Sequence, residues 1–241
     1  MLDVKKWGYS NPVIAPLYCS PPIYWVDARI QVVVYETDME NVERVIPYPL
    51  EPRDNRVIAW VSELPFTTQG NYNEAALYVM VKYKNYVGTY EPFLYVNTEI
   101  PLAGGREIWG FCKKLANISV NFEKEIVRGE VERAKIKIMT CLSTCELPAN
   151  LEEVPLGPVF SLKLIPPASP EESPLKQLIF TEAKLTAQKG RFFKGVGSVE
   201  FEKSEVDPLY ILQPKKIIRG YYGIFDMVLP HGKIVYRYEK E

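Results

Sequence analysis

Between Leu77 and Lys84 the chain alternates, with Leu77, Val79, Val81 and Tyr83 on one side and Tyr78, Met80, Lys82 and Lys84 on the other. That two-residue period marks a half-buried strand. The same alternation recurs where Ala134, Ile136 and Ile138 interleave with Arg133, Lys135 and Lys137, where Phe160, Leu162 and Leu164 interleave with Ser161 and Lys163, and at Ile234, Tyr236 and Tyr238. Ile30 to Tyr35, rich in β-branched residues, reads as a strand, and so do Val57 to Leu64 and Phe93 to Val96. The polar run Thr67 to Glu74 supplies a turn. Strands of this style predict antiparallel sheet with one face on a core and the other in water.

Helical signals are few. Thr37-Asp38-Met39-Glu40 has the form of a capping box, and Val42, Val45 and Ile46 give a short apolar face that Pro47 ends, which predicts a helix over 38–46. Arg106 to Gly110 and Pro208 to Leu212 are long enough only for single turns. Pro12, Pro16, Pro21 and Pro22 fix φ and remove backbone donors between Gly8 and Trp25, predicting an extended arm. The Pro-rich stretch 166–174 has strands of one style on both sides, so it reads as a surface loop inside a single domain spanning residues 1–241. The expected fold is mainly β, of the α+β class: an antiparallel sheet closed into a cone-like or barrel core with a few short helices, because closure removes exposed edges.

Composition then narrows the function classes. A 47% hydrophobic content over 241 residues is ample for a buried core. Lys and Arg total 29 against 30 for Asp and Glu, and a net charge of −1 provides no general field for nucleic acid or an anionic membrane. Met1 to Trp7 lacks the apolar centre of a signal peptide, and no stretch approaches the roughly 20 uninterrupted apolar residues of a membrane span. The expectation is a cytoplasmic protein with neither a nucleic-acid nor a membrane partner. Cys19, Cys112, Cys141 and Cys145 are not spaced as a disulfide framework and read as buried free thiols; with His231 the only histidine, no metal site is expected. His231, between Pro230 and Gly232, reads as a surface turn residue without a serine or cysteine partner, which argues against triad chemistry.

The stretch that carries candidate chemistry is Ala103-Gly104-Gly105-Arg106-Glu107-Ile108-Trp109-Gly110-Phe111-Cys112-Lys113-Lys114. Its glycines permit close backbone approaches, while Trp109, Phe111 and Cys112 supply apolar surroundings that disfavour a charged amine. A lysine desolvated beside a second cation loses its proton more easily and can attack a ketone to form a Schiff base. On composition alone, an adjacent lysine pair reads instead as solvated surface.

The run Gly105-Arg106-Glu107, a short spacer, and then Lys113-Lys114 resembles the signature of the acetoacetate decarboxylase family. The resemblance extends through Asp27-Ala28-Arg29, Tyr35 to Glu40, Arg44 to Leu50, Leu162 to Pro166 and Phe225 to Pro230, nearly the whole chain. It implies that Lys113 forms the Schiff base and that Lys114 keeps it deprotonated. It also implies that Arg29 captures the substrate carboxylate through paired hydrogen bonds and that Glu74 orients that arginine or assists the departing carboxylate. Arg106 and Glu107 are expected as a supporting ion pair that shapes the lysine segment.

Two positions depart from the family pattern. Trp60 stands where the family has a second pocket glutamate, and Glu63, three residues on, faces the other way in a regular strand. Cys112 stands where proline is common. The implied activity is decarboxylation of a small 3-oxo acid such as acetoacetate through an iminium, with no metal or organic cofactor, in a homo-oligomer. A Schiff-base aldolase-dehydratase of 2-oxo acids such as pyruvate suits the Trp60 change, with Trp60 lining the substrate pocket. A non-catalytic ligand-binding module is the reading from a different class.

Overall fold

A computed structural model describes residues 3–238. The chain forms strands β1 (Ile23–Glu36), β2 (Glu51–Leu64), β3 (Phe66–Thr67), β4 (Tyr72–Tyr83), β5 (Tyr86–Val96), β6 (Lys113–Leu115), β7 (Asn117–Glu123) and β8 (Ile126–Arg133). These are followed by β9 (Ile136–Thr144), β10 (Leu147–Pro148), β11 (Val159–Ile165), β12 (Leu175–Thr181), β13 (Lys184–Gly195), β14 (Gly197–Glu200), β15 (Lys216–Leu229) and β16 (Lys233–Arg237). Twelve of them make one sheet along the path β10-β13-β15-β1-β2-β4-β5-β11-β12-β16, with β3 added to β1 and β6 to β5. β14-β9-β8-β7 form a second, four-stranded sheet. The mainly β architecture expected from the alternation is present. Among the described residues the pairing of the large sheet runs as a path from β10 to β16, with no pairing between these two ends.

The strands at the centre of the large sheet are covered on both faces. Val33, Tyr35, Val57, Ala59, Val61, Ala75, Leu77, Val79 and Val81 belong to one core, completed by Ile118, Val131, Ile138, Met139 and Cys141 of the small sheet. Their neighbours in sequence, Ile30, Val32, Val34, Ile58, Trp60, Ala76, Met80, Leu94 and Val96, turn to the other face and build a second core. The period of two therefore sorts residues between two apolar cores and not between core and water. This corrects the one-wet-face expectation for β4, where Met80 is as buried as Val79 and only Lys82 is exposed.

Helices are short. α1 covers Met39–Glu43, less than the 38–46 expected; its cap is Asp38, whose carboxylate pairs with Lys215 Nζ at 3.1 Å and makes no capping bond, while the Thr37 hydroxyl donates to the Gln213 carbonyl at 2.8 Å. α2 (Glu99–Gly104) runs directly into a π-helical turn, Gly105–Trp109, so the glycine-rich segment is the end of an 11-residue helical stretch and not an isolated turn. Pro101 is tolerated because it lies in the first helical turn, where its missing N–H has no intrahelical acceptor. The 166–174 stretch is the exposed connection of the antiparallel pair β11 and β12. Among the described residues no helix is long and apolar enough to cross a membrane. The cysteines are free thiols; Cys141 is buried, whereas Cys19 lies at the surface, contrary to expectation. His231 is exposed between β15 and β16.

Candidate active site

Lys113 opens β6, whose parallel pairing with β5 sets Lys113 opposite Leu94 and Lys114 opposite Tyr95. Leu94 belongs to one core and Tyr95 to the other. Consecutive residues on a strand point to opposite faces, so the two lysines part company at once. Lys113 enters a cavity of about 100 Å³ lined by Trp25, Trp60, Glu74, Tyr78, Glu91, Leu94, Phe111, Leu185 and Met227. Its side chain is only 6% exposed, and its Nζ lies 2.8 Å from Glu74 Oε2, a carboxylate itself 15% exposed. The rings of Tyr72 and Phe111 stand 5.6 and 5.7 Å from the same Nζ. An amine–carboxylate pair in a largely apolar cavity is a strong interaction, because little water is present to screen it.

The lysine is held by the chain that precedes it. Gly105 approaches so closely that a Cβ there would meet Lys113 Cδ at 2.7 Å, Cε at 2.9 Å and Nζ at 3.3 Å. Gly110 turns the chain at φ 78°, and a Cβ on it would strike the Lys163 backbone at 2.2 Å. The Trp109 indole donates to the Pro230 carbonyl at 2.9 Å, the Ser161 hydroxyl donates to the Trp109 carbonyl at 2.6 Å, and Lys163 Nζ donates to the Ile108 carbonyl at 3.2 Å. These bonds anchor the segment to β11 and to the end of β15.

Of the residues named from sequence, the cavity brings together Lys113, Glu74 and Trp60. Register explains this: Trp60 pairs with Ala76 across β2 and β4, and Ser62 pairs with Glu74, all on the Lys113 face. The Trp60 indole donates to Ser62 Oγ at 3.0 Å and meets the Tyr78 ring edge-on at 6.3 Å.

Lys114 and Arg29 lie on the opposite side. Lys114 Nζ donates to Asp207 Oδ1 at 2.8 Å and to the Val206 carbonyl at 3.0 Å. Asp207, with a side chain 2% exposed, also receives Arg133 Nε at 2.9 Å and the Tyr95 hydroxyl at 3.0 Å. Burial raises the pKa of the Asp207 carboxyl, but the hydrogen bonds from Lys114 and Tyr95 and the charges of Lys114 and Arg133 outweigh it and hold it below its ordinary value. Arg29 follows an irregularity in β1 between Trp25 and Ala28, pairs in register with Glu63, and makes an ion pair with it at 2.8 Å. Both side chains are substantially exposed, 47% and 39%, on the face that carries Gln31 and Val33, away from the cavity.

Arg106 and Glu107 do not pair with each other among the described residues. Arg106 Nη1 donates to the Lys113 carbonyl at 3.1 Å, and Glu107 accepts the Tyr18 hydroxyl. Each still ties the lysine segment in place, through a separate partner.

Sequence reasoning missed Glu91. It lies on β5, 2% exposed, in the wall of the cavity beside Glu74 and Lys113, and its Oε2 has no hydrogen-bond partner among the described residues. Burial pushes its carboxyl well above the usual range; its own backbone amide and the Lys113 charge pull downward, while the Glu74 charge adds to the rise. The available signal was a lone carboxylate between Tyr90 and Pro92-Phe93, in an otherwise apolar run.

The chain is similar to known proteins over nearly its whole length. A 27%-identical acetoacetate decarboxylase of Burkholderia vietnamiensis aligns over 98% of this chain and 97% of its own. The crystal structure of an acetoacetate decarboxylase from Legionella pneumophila superposes with a TM-score of 0.88 at 30% identity, covering 99% of this chain and 97% of that one. The enduracididine biosynthesis enzyme MppR, complexed with the condensation product of pyruvate and imidazole 4-carboxaldehyde, shares the fold at 17% identity and a TM-score of 0.81, covering 96% of this chain and 97% of that one. The family pattern described as acetoacetate decarboxylase matches residues 10–238, so this chain belongs to the acetoacetate decarboxylase family and is a carboxy-lyase enzyme.

Proposed function

We propose that the protein decarboxylates a small 3-oxo acid, acetoacetate or a close analogue, through a Schiff base on Lys113, with the 241 residues acting as one catalytic domain. The observation that carries this reading is the buried Lys113 Nζ at 2.8 Å from Glu74 inside a cavity of about 100 Å³. Transfer of one proton across that contact to Glu74 leaves an uncharged amine, the form that attacks a ketone carbon. Addition to the ketone, followed by loss of the carbinolamine hydroxyl as water with the proton returned by Glu74, gives an iminium. This group accepts the electron pair of the carbon–carbon bond as CO2 leaves, and the resulting enamine is then protonated and hydrolysed to the ketone and free lysine.

The apolar lining serves the bond-breaking step. A substrate carboxylate facing Trp60, Leu94, Phe111 and Met227 loses the hydration that stabilises it in water, whereas the neutral CO2 it becomes loses nothing comparable. No arginine lines this cavity among the described residues, and Arg29 is engaged with Glu63 across the sheet. The reading therefore assigns Arg29 no hold on the substrate carboxylate, and it assigns Lys114 to the clamp around Asp207. The substrate is a small keto acid; no organic cofactor is invoked, and a homo-oligomer in the cytoplasm is the proposed setting.

The test is the Lys113→Ala variant, with folding verified by circular dichroism. Loss of CO2 release from acetoacetate is expected. Turnover equal to that of the parent protein would remove Lys113 from the mechanism.

A further inference from the structure

The reaction above requires a proton that the Lys113–Glu74 pair does not readily supply. When CO2 departs, the enamine carbon holds the electron pair of the broken bond, and turnover needs a hydrogen on that carbon. Glu74, 2.8 Å from the Lys113 Nζ, gives back the proton it took from the amine when water leaves on iminium formation, and is a carboxylate when CO2 departs. Glu91 stands in the same cavity wall with its Oε2 buried and unpartnered among the described residues. An ionised carboxylate left unpaired in such surroundings is costly, so the carboxylic acid is the stable form there.

The surroundings of Glu91 come from three elements. β4 contributes Glu74 and Tyr78, and β6 contributes Lys113 with Cys112 just before it, whose thiol donates to the Glu91 carbonyl at 3.1 Å. Arg106, from the π-helical turn, lies across a second cavity of about 210 Å³ that Glu91 lines on its other side, together with Tyr90, Cys112, Leu162 and Leu164. Arg106 and Leu164 are exposed, so this second cavity communicates with the surface. Glu91 is thus part of two walls, one facing the reacting lysine and one facing outward.

We propose that Glu91 is the acid that protonates the enamine carbon, and that it recovers its proton through the second cavity. The Glu91 O–H bond breaks as the new C–H bond forms; the enamine π pair takes the proton and the nitrogen lone pair restores the iminium. The carboxylate left on Glu91 is reprotonated by water. The inference rests on the Schiff-base reading of Lys113.

The experiment reads the same step in reverse, as exchange of acetone methyl hydrogens for deuterium in D2O by proton NMR, beside borohydride trapping of acetone on Lys113. Glu91→Gln is expected to trap acetone at the parent level while its exchange falls by about 10²-fold or more, the range of general acid–base catalysis. Glu91→Asp is expected to retain part of the exchange. Parent-like exchange in Glu91→Gln, or trapping and exchange lost in parallel, would overturn the assignment by making Glu91 a bystander or a packing residue. If Glu91→Gln does not fold, the parent protein decides: exchange per trapped iminium must rise with pH as Glu91 ionises to the base that removes the methyl proton, and a ratio of exchange to trapping that stays constant with pH refutes the proposal. Failure of the parent itself to trap either acetone or acetoacetate would instead refute the Schiff-base reading, and this proposal with it.

Discussion

Gly105→Ala separates the positioning of Lys113 from the stability of the fold. A Cβ at residue 105 would sit 2.7 Å from Lys113 Cδ and 2.9 Å from Cε, so the lysine stem must retreat by about 1 Å to reach ordinary contact. Gly105 itself has helical dihedrals, φ −60° and ψ −46°, so alanine gains roughly 0.5–1 kcal/mol from reduced backbone freedom, against an overpacking cost of about 1–3 kcal/mol. The net destabilisation is therefore about 0–2.5 kcal/mol. For catalysis the same displacement is far larger in effect: moving a reacting group by about 1 Å costs about 10²-fold in rate, near 2.7 kcal/mol of barrier. The assay pairs CO2 release from acetoacetate with thermal unfolding. A variant that melts near the parent but turns over about 10²-fold more slowly supports the geometry, and parent-like turnover would refute the claim that Gly105 fixes the nucleophile. Gly110→Ala is the contrasting case, since its Cβ would strike the Lys163 backbone at 2.2 Å from a left-handed φ of 78°; it is expected to lower the melting temperature strongly and to reduce soluble protein.

Other substitutions probe the remaining parts. Lys114→Gln is expected to leave borohydride labelling of Lys113 intact and to cost about 0.5–1 kcal/mol in chemical denaturation, because Lys114 is 41% exposed and Arg133 still faces Asp207. Asp207→Asn removes the buried centre of that cluster and is expected to cost about 3 kcal/mol at neutral pH. Because the folded-state pKa of Asp207 lies below its ordinary value of 3.8, its contribution is present above that pH and is lost as the pH falls through the folded-state value; acid unfolding of the Asn variant should show a weaker pH dependence there. Glu91 has the opposite sign: its folded-state pKa lies above 4.5, so its stabilising share is full below pH 4.5 and is lost as the pH rises toward the folded-state value. The melting temperature of Glu91→Gln relative to the parent should therefore increase as the pH rises above 4.5, and a pH-independent difference would contradict the buried-acid description.

Much of the fold is legible in the period-two runs, but which face meets water is not. In β4, Leu77, Val79 and Val81 announce one core, while Ala76, Tyr78 and Met80 on the other face include small and amphipathic side chains whose burial depends on strands far away in sequence. The helical stretch from Glu99 is obscured by Pro101 and the paired glycines, all of which weaken helical propensity. At the site, Lys113 and Glu74 are both recognisable through resemblance to the family. The separation of Lys113 from Lys114 follows from strand alternation, but the glycine-rich run before them carries no strand signal. Arg29 depends on the irregularity between Trp25 and Ala28, which shifts the register of β1. Glu91 lies by a register shift of its own, where β5 slips against β4 between Leu77 and Val79, and only the assembled cavity distinguishes it from a surface glutamate.

The central claim is that Lys113 is the nucleophile, and borohydride reduction in the presence of acetoacetate, followed by peptide mass spectrometry, tests it most directly. The account predicts a reduced adduct on Lys113, absent from Lys114 and from the other lysines, accompanied by CO2 release. An adduct formed with pyruvate but not with acetoacetate would contradict the 3-oxo acid assignment in favour of aldol-type chemistry. No labelled lysine with either acid, in protein shown to be folded, would contradict the Schiff base itself.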